Sequence, residues 1–400
     1  MSISLNRNLT ILMTCQAIAT GGTVLVVTIG GIVGGGLSPT AAFATVPLSL
    51  MVVGTALGAI PAAMLMRRIG RRWGFTVAAL GAAAAAALGA AAVWQQSFAW
   101  FCVSTFLIGV KIAFSQQYRF AAAESVAPVQ AGTAVSLVLL GAVGGALLGP
   151  AIATSGAGLI DGVLFAGSLL ALAGLFLLAA LLLTQLREPQ PGETAVVPLA
   201  ARPFSAVARQ PLFLIAVLAG VVAQGVMTFI MTATPISMHV IDGFTLEQTA
   251  AVIRAHVLAM YVPSLVSALL IARLGVSRLM ALGLGAFAAT ICIALQGHEY
   301  LHYWFSLLLL GVGWNFLFVS GTSLLLQSYR PAERFTAQAT NDFCVFGVAA
   351  LASLLAGSVV HLAGWDSVLW GSLPLVLLMA LALIWLAGHQ RRTAAVPSGR

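Results

Sequence analysis

Apolar residues along this chain fall in long unbroken blocks, not in the alternation of a half-buried strand or the narrow stripe of a soluble amphipathic helix. Twelve blocks can be traced, at roughly residues 10–34, 43–66, 73–95, 98–118, 132–153, 160–184, 211–233, 249–272, 278–297, 301–326, 338–360 and 366–388. Each approaches the about 20 residues that a helix needs to cross the hydrocarbon core of a bilayer. The pattern predicts an all-α integral membrane protein of twelve transmembrane helices, numbered below as spans one to twelve.

Composition agrees with this. Of 400 residues, 60% are hydrophobic and 7% charged, with a mean hydropathy of +1.05. A soluble chain carries about a quarter charged residues, so a soluble enzyme or binding module is excluded. The net charge of +8 is not a nucleic-acid signature, because its location follows the blocks. Lys111 is the only lysine; the other basic residues are arginines. Connections after even-numbered blocks hold Arg67, Arg68, Arg71 and Arg72, then Arg119, then Arg187, Arg202 and Arg209, and later Arg273, Arg278, Arg330, Arg334, Arg391, Arg392 and Arg400. Those after odd-numbered blocks hold only acids: Asp161, Asp242, Glu247, Glu299 and Asp366. The positive-inside rule then places both termini in the cytoplasm.

The longest connection contains Glu188, Pro189, Pro191, Gly192 and Glu193 and lies at the midpoint. It divides the chain into an N-terminal six-helix bundle (1–187), a cytoplasmic linker (188–209), a C-terminal six-helix bundle (210–390) and a cytoplasmic tail (391–400). LMRRIGRR (65–72) after span two is echoed by IARLGVSR (271–278) after span eight. Such duplication into two pseudo-symmetric bundles is how many secondary transporters are built. The first block runs to about Val33, too long for a cleaved signal peptide. Cys15, Cys102, Cys292 and Cys344 lie inside apolar blocks with neither disulfide nor CxxC spacing, which reads as packing.

Candidate chemistry concentrates between Met227 and Met260. Met227 and Met231 form an MxxxM pair and His256 and Met260 an HxxxM pair. Positions i and i+4 share a helix face. If spans seven and eight are antiparallel neighbours turning near Ile241, the two pairs sit at one depth. Thioether and imidazole ligands favour Cu(I) over Mg or Ca, while the same spacing also serves packing. His298-Glu299-Tyr300-Leu301-His302 is a literal HExxH, a zinc-protease pattern, or an outer capture site for a metal ion together with Met238 and His239. Its place in an outward turn speaks against catalysis. Ionisable residues within spans are functional candidates, Lys111 and Arg254 here; a lysine also snorkels to the surface. Gln16, Thr20 and Thr28 form a polar stripe on span one, and Trp314 and Asn315 lie on span ten. Gly141, Gly145 and Gly149 repeat every four residues on span five and predict a close helix approach. GIVGGG (31–36) lacks the context of a nucleotide site, and no Walker motif appears, so transport is expected to run on a gradient.

The six-plus-six pattern with RRIGRR resembles the major facilitator superfamily and its G-x-x-x-D-R-x-G-R-R signature between spans two and three, with Ala63 and Arg67 in place of the Gly and Asp. The resemblance implies an inner gate around Arg68, Gly70, Arg71 and Arg72, with Asp342 at the start of span eleven supplying the acid. Span five partly resembles a drug/proton antiporter signature but has Ala153 and Thr154 in place of two glycines. QQYRFAAAE (116–124), HVLAMY (256–261), GVGWNFLFVSGT (311–322) and YRPAERFTAQATNDFCVFG (329–347) resemble a bacterial subgroup that includes the CcoA-like copper importers. That resemblance implies an inner-membrane copper importer working by alternating access, with Met227, Met231, His256 and Met260 as metal ligands and Gln16, Thr20, Gln117, Trp314 and Asn315 lining the path. It implies a monomer in the lipid bilayer with no cofactor, copper being cargo. The subgroup also contains relatives assigned to riboflavin uptake. The alternative is therefore a small organic solute, taken up or expelled with proton coupling, in which Gln116, Gln117, Trp314 and Asn315 outweigh the Met pairs.

Overall fold

Every apolar block forms helix. The structure, a computed structural model, describes residues 6–39, 43, 46–160, 163–187 and 201–394. Asp161, most of the linker (188–200) and the end of the tail (395–400) lie outside them. Among the described residues ten helices are long and apolar enough to cross a membrane, or eleven with the bent pair Glu247–Tyr261 and Ser264–Leu274. One helix, Val46–Trp94, has 49 residues and a non-helical Gly70 inside it at φ 83° and ψ 165°. At 1.5 Å per residue it is roughly 70 Å long, twice a bilayer, so Gly70 separates spans two and three and the described residues hold twelve spans. A side chain at that φ would be strained, which is why glycine stands at the turn.

The ends of the helices follow local chemistry. Asn6 caps span one by accepting from the Leu9 N–H at 2.8 Å, and Thr245 and Gln248 form a capping box at the start of span eight. Span six begins at Ala166, six residues later than its hydropathy suggested, after Phe165 in the left-handed region. Span eight, expected as one helix, bends by 42° between Tyr261 and Ser264. Pro263 lies in this break and has no N–H to continue the ladder. Span seven, Pro211–Pro235, continues into a π-helical turn, Ile236–Ile241.

The chain forms two compact units. The first comprises Met1–Ala200 with Pro331–Ala350, the start of span eleven; the second comprises Ala201–Arg330 and Leu351–Arg400. In the first, span five lies on span one. A Cβ at Gly145 would meet the Ala17 carbonyl at 2.3 Å, and one at Gly149 would meet that of Gly21 at 2.7 Å. The small-residue stripe thus sets this contact, as lipid-embedded helices require. Lys111 does not snorkel. It is 3% exposed, with its ammonium 4.8 Å from the centre of the Phe176 ring on span six. Arg254, by contrast, is exposed.

Candidate functional site

In the second unit, spans seven and eight each pack mainly on span ten and meet each other only near the π-helical turn. The expected hairpin of two facing clamps is therefore not the arrangement found. Glycines on span ten explain why. A Cβ at Gly311 would sit 2.7 Å from the His256 carbonyl, and one at Gly321 would sit 3.1 Å from that of Ala216. Span ten thus approaches both neighbours closely. Met227 and Met260 are buried and Met231 is half-buried. His256 is fully buried, and its Nδ1 lies 2.8 Å from the Leu307 carbonyl oxygen. A carbonyl only accepts, so Nδ1 donates, and Nε2 is left as a buried acceptor with no hydrogen-bond partner. Among the described residues no group of three or more His, Cys, Asp or Glu is placed to hold a metal ion.

Around Trp314 the side chains of three spans converge. The indole stacks on Phe318 with ring centres 4.7 Å apart at 16°, and meets Tyr261 edge-on at 5.7 Å. Its Nε1–H donates to Gln224 Oε1 at 2.9 Å, and Gln224 Nε2 donates to Thr228 at 3.4 Å. Trp314 and Phe318 are buried, while Gln224 and Tyr261 remain partly accessible. Sequence reasoning found Trp314 but missed Gln224, Tyr261 and Phe318. Only the i,i+4 spacing of Trp314 and Phe318 was visible. Asn315 bonds across to span eight. Its amide donates to the Met260 carbonyl and to Ser264, and accepts from Ser267, each at 2.7 Å, all within span eight around its bend. With both amide hydrogens and its oxygen bonded to span eight, Asn315 ties the two halves of the break together. In the first unit Gln16 donates to Thr20 at 3.2 Å along span one, and Thr28 is exposed, bonding the Val24 carbonyl.

The arginine-rich end of the first unit holds a buried polar network. Asp342 pairs with Arg119 at 2.6 Å, the two side chains being 1% and 2% exposed. Gln117 Nε2 donates to the other Asp342 oxygen at 2.6 Å, so Gln117 belongs to this network. Arg71 does not reach Asp342. Its Nη2 and Nε donate to Glu124 at 2.7 and 3.0 Å, and Gln338 joins from span eleven. Of the expected gate, Arg71 is thus engaged, Arg72 lies 5.1 Å over the Trp73 ring, and Arg68 is exposed. Arg119, Glu124 and Gln338 were missed. Their partners lie more than 50 residues away in sequence, so spacing gave no signal.

Residues 11–255 and 231–400 match the profile of the Major Facilitator Superfamily. The chain belongs to that superfamily. It is 40% identical over 379 residues to a riboflavin transporter, RfnT, of Brucella anthropi, covering 94% of this chain and 95% of that protein. Two solved superfamily structures share the fold. They are FucP in its outward conformation (TM-score 0.76, 16% identity, 94% of this chain and 97% of FucP) and the human organic anion transporter MFSD10 (TM-score 0.74, 18% identity, 96% and 100%).

A Major Facilitator Superfamily transporter has no use for a protease site, and the HExxH geometry agrees. Glu299 is the N-cap of span ten and accepts from the backbone N–H of His302, whose Nδ1 accepts from the Glu299 N–H at 3.3 Å. The motif is a helix cap. His298 lies before the helix, with Nδ1 3.1 Å from Asp242, and Tyr303 donates to the same carboxylate at 2.6 Å. Met238 is buried, and the exposed His239 bonds the Phe244 carbonyl through Nδ1.

Proposed function

We propose that this transporter takes up a planar aromatic solute of the riboflavin kind across a bacterial inner membrane, by alternating access as a monomer with both termini cytoplasmic. The observation that carries the reading is the aromatic and amide cluster of Trp314, Phe318, Tyr261 and Gln224. Stacked rings give a flat heterocycle a face to lie on, and the half-buried Gln224 amide offers it a donor and an acceptor. The likeness to a protein named as a riboflavin transporter supports the same cargo. Copper import is the second reading, favoured by the orphan Nε2 of His256. An imidazole whose Nδ1–H is held by a carbonyl is oriented as metal-bound imidazoles are. The same lone pair accepts equally well from an N–H or O–H of an organic cargo.

Uptake of labelled riboflavin and of radioactive copper, side by side in a host lacking its own importers, separates the two. Riboflavin uptake is expected to fall in Trp314→Ala and to persist in Met227→Ala/His256→Ala, with copper at the level of empty cells. Loss of one stacking partner is worth about 1.4 kcal/mol, or about tenfold in apparent affinity. Copper uptake that vanishes in the Met227→Ala/His256→Ala protein, with no riboflavin uptake in the wild type, refutes the reading.

A further inference from the structure

Trp314 and Phe318 lie seven and eleven residues after Leu307, and at about 100° per residue each returns to within about 20° of its direction. Gly311 and Gly321 point about 40° to either side, the first against span eight and the second against span seven. Those two spans meet each other only near the π-helical turn, so the face between the glycines floors a groove. At one end stands Trp314, with Gln224 of span seven and Tyr261 of span eight against it. At the other end, about 10 Å along the axis, the His256 ring gives its Nδ1–H to the Leu307 carbonyl. Its Nε2 is buried and accepts from nothing. An acceptor sealed without a donor is costly, and an apolar side chain would fill the same space without that loss. Met260 shares the His256 face of span eight, four residues on, and Met227 lies three residues after Gln224; both are buried. Unbranched thioethers re-pack around different shapes at little cost, so they occupy a groove without fixing its contents.

Resting on the riboflavin-type reading, we propose that His256 determines specificity: its Nε2 accepts from the imide N–H of a flat heterocycle whose far end stacks at Trp314. The oxidised flavin ring system carries one N–H, the imide, on the edge remote from its fused benzene ring. The rings are rigid and stack on aromatic faces, so stacking at one end sets where the donor lies at the other. The lone pair is the half of this hydrogen bond that the protein has in place. A site built to bond a substrate N–H rejects the analogue lacking it, because the buried acceptor is then left unpaired. Flat aromatic solutes without such a donor are excluded on the same ground.

The test uses the full-length protein in a host lacking its own importers, with labelled riboflavin as cargo. The competitors are unlabelled riboflavin and 3-methylriboflavin, in which a methyl group replaces the imide hydrogen. In the wild type 3-methylriboflavin is expected to compete at least about tenfold more weakly than riboflavin. His256→Ala should keep uptake at saturating riboflavin, raise KM about tenfold and accept the two competitors within about twofold, as loss of a binding contact requires. His256→Gln, whose amide oxygen reaches the place of Nε2, should restore the preference. A packing role alone would lower the melting temperature and maximal uptake of His256→Ala and leave its preference for riboflavin intact. That outcome, or equal competition by the two compounds in the wild type, overturns the inference. The wild-type comparison decides even if His256→Ala is not recovered folded. Absence of riboflavin uptake by the wild type overturns the riboflavin reading and this inference together, whereas uptake without discrimination overturns this inference alone.

Discussion

Asp342→Asn tests the buried network most directly. The substitution keeps the shape of the side chain and removes the charge that neutralises Arg119, a guanidinium only 2% exposed. Gln117 donates to one carboxylate oxygen at 2.6 Å and Asn341 to the other at 3.0 Å, so the single amide oxygen keeps donors on one side only, and the loss combines the missing charge with a broken hydrogen bond. Removing one partner of a buried ion pair costs about 3–5 kcal/mol, because the other charge stays out of water. In a unit of roughly two hundred residues each kcal/mol moves the melting temperature by about 2–4 °C, so a fall on the order of 10 °C is expected. Tryptophan fluorescence during heating of the purified protein measures it. Arg119→Met/Asp342→Leu removes both charges and should recover most of the loss, since apolar replacement of a buried pair is often neutral or stabilising. If Asp342→Asn melts with the wild type, or if the double substitution loses the sum of the two single ones, the pair is not coupled and the reasoning fails.

Two further outcomes follow from the same structure. Lys111→Met should raise the melting temperature, because the buried ammonium lies over the Phe176 ring with no ion pair among the described residues; a fall would mean that the ring contact outweighs desolvation. Glu299→Ala should lower thermal stability by about 1 kcal/mol through the lost cap, and no peptidase activity should be measurable with or without added zinc; zinc-dependent cleavage abolished by the substitution would restore the protease reading.

The twelve spans, the break between spans two and three, the close approach of span five and the transporter class could all be read from the sequence. Lipid imposes one requirement on every span, about 20 apolar residues, and that requirement is written locally in the chain. The glycine repeat on span five is equally local, because a four-residue period presents one face whatever the neighbour is. Partner choice is different. On a helix a shift of one residue turns a side chain by about 100°, so whom it meets depends on the rotation and depth of helices far away in sequence. For that reason only the tertiary structure decided that Asp342 meets Arg119 instead of Arg71, and that Asn315 secures the bend of span eight. It alone joined Gln224 to Trp314, 90 positions apart, and set span ten against both span seven and span eight. HExxH failed as a motif for a related reason. Its letters fix the order of the residues, but the helix begins at Tyr300, so His298 falls outside the turn that would align it with His302.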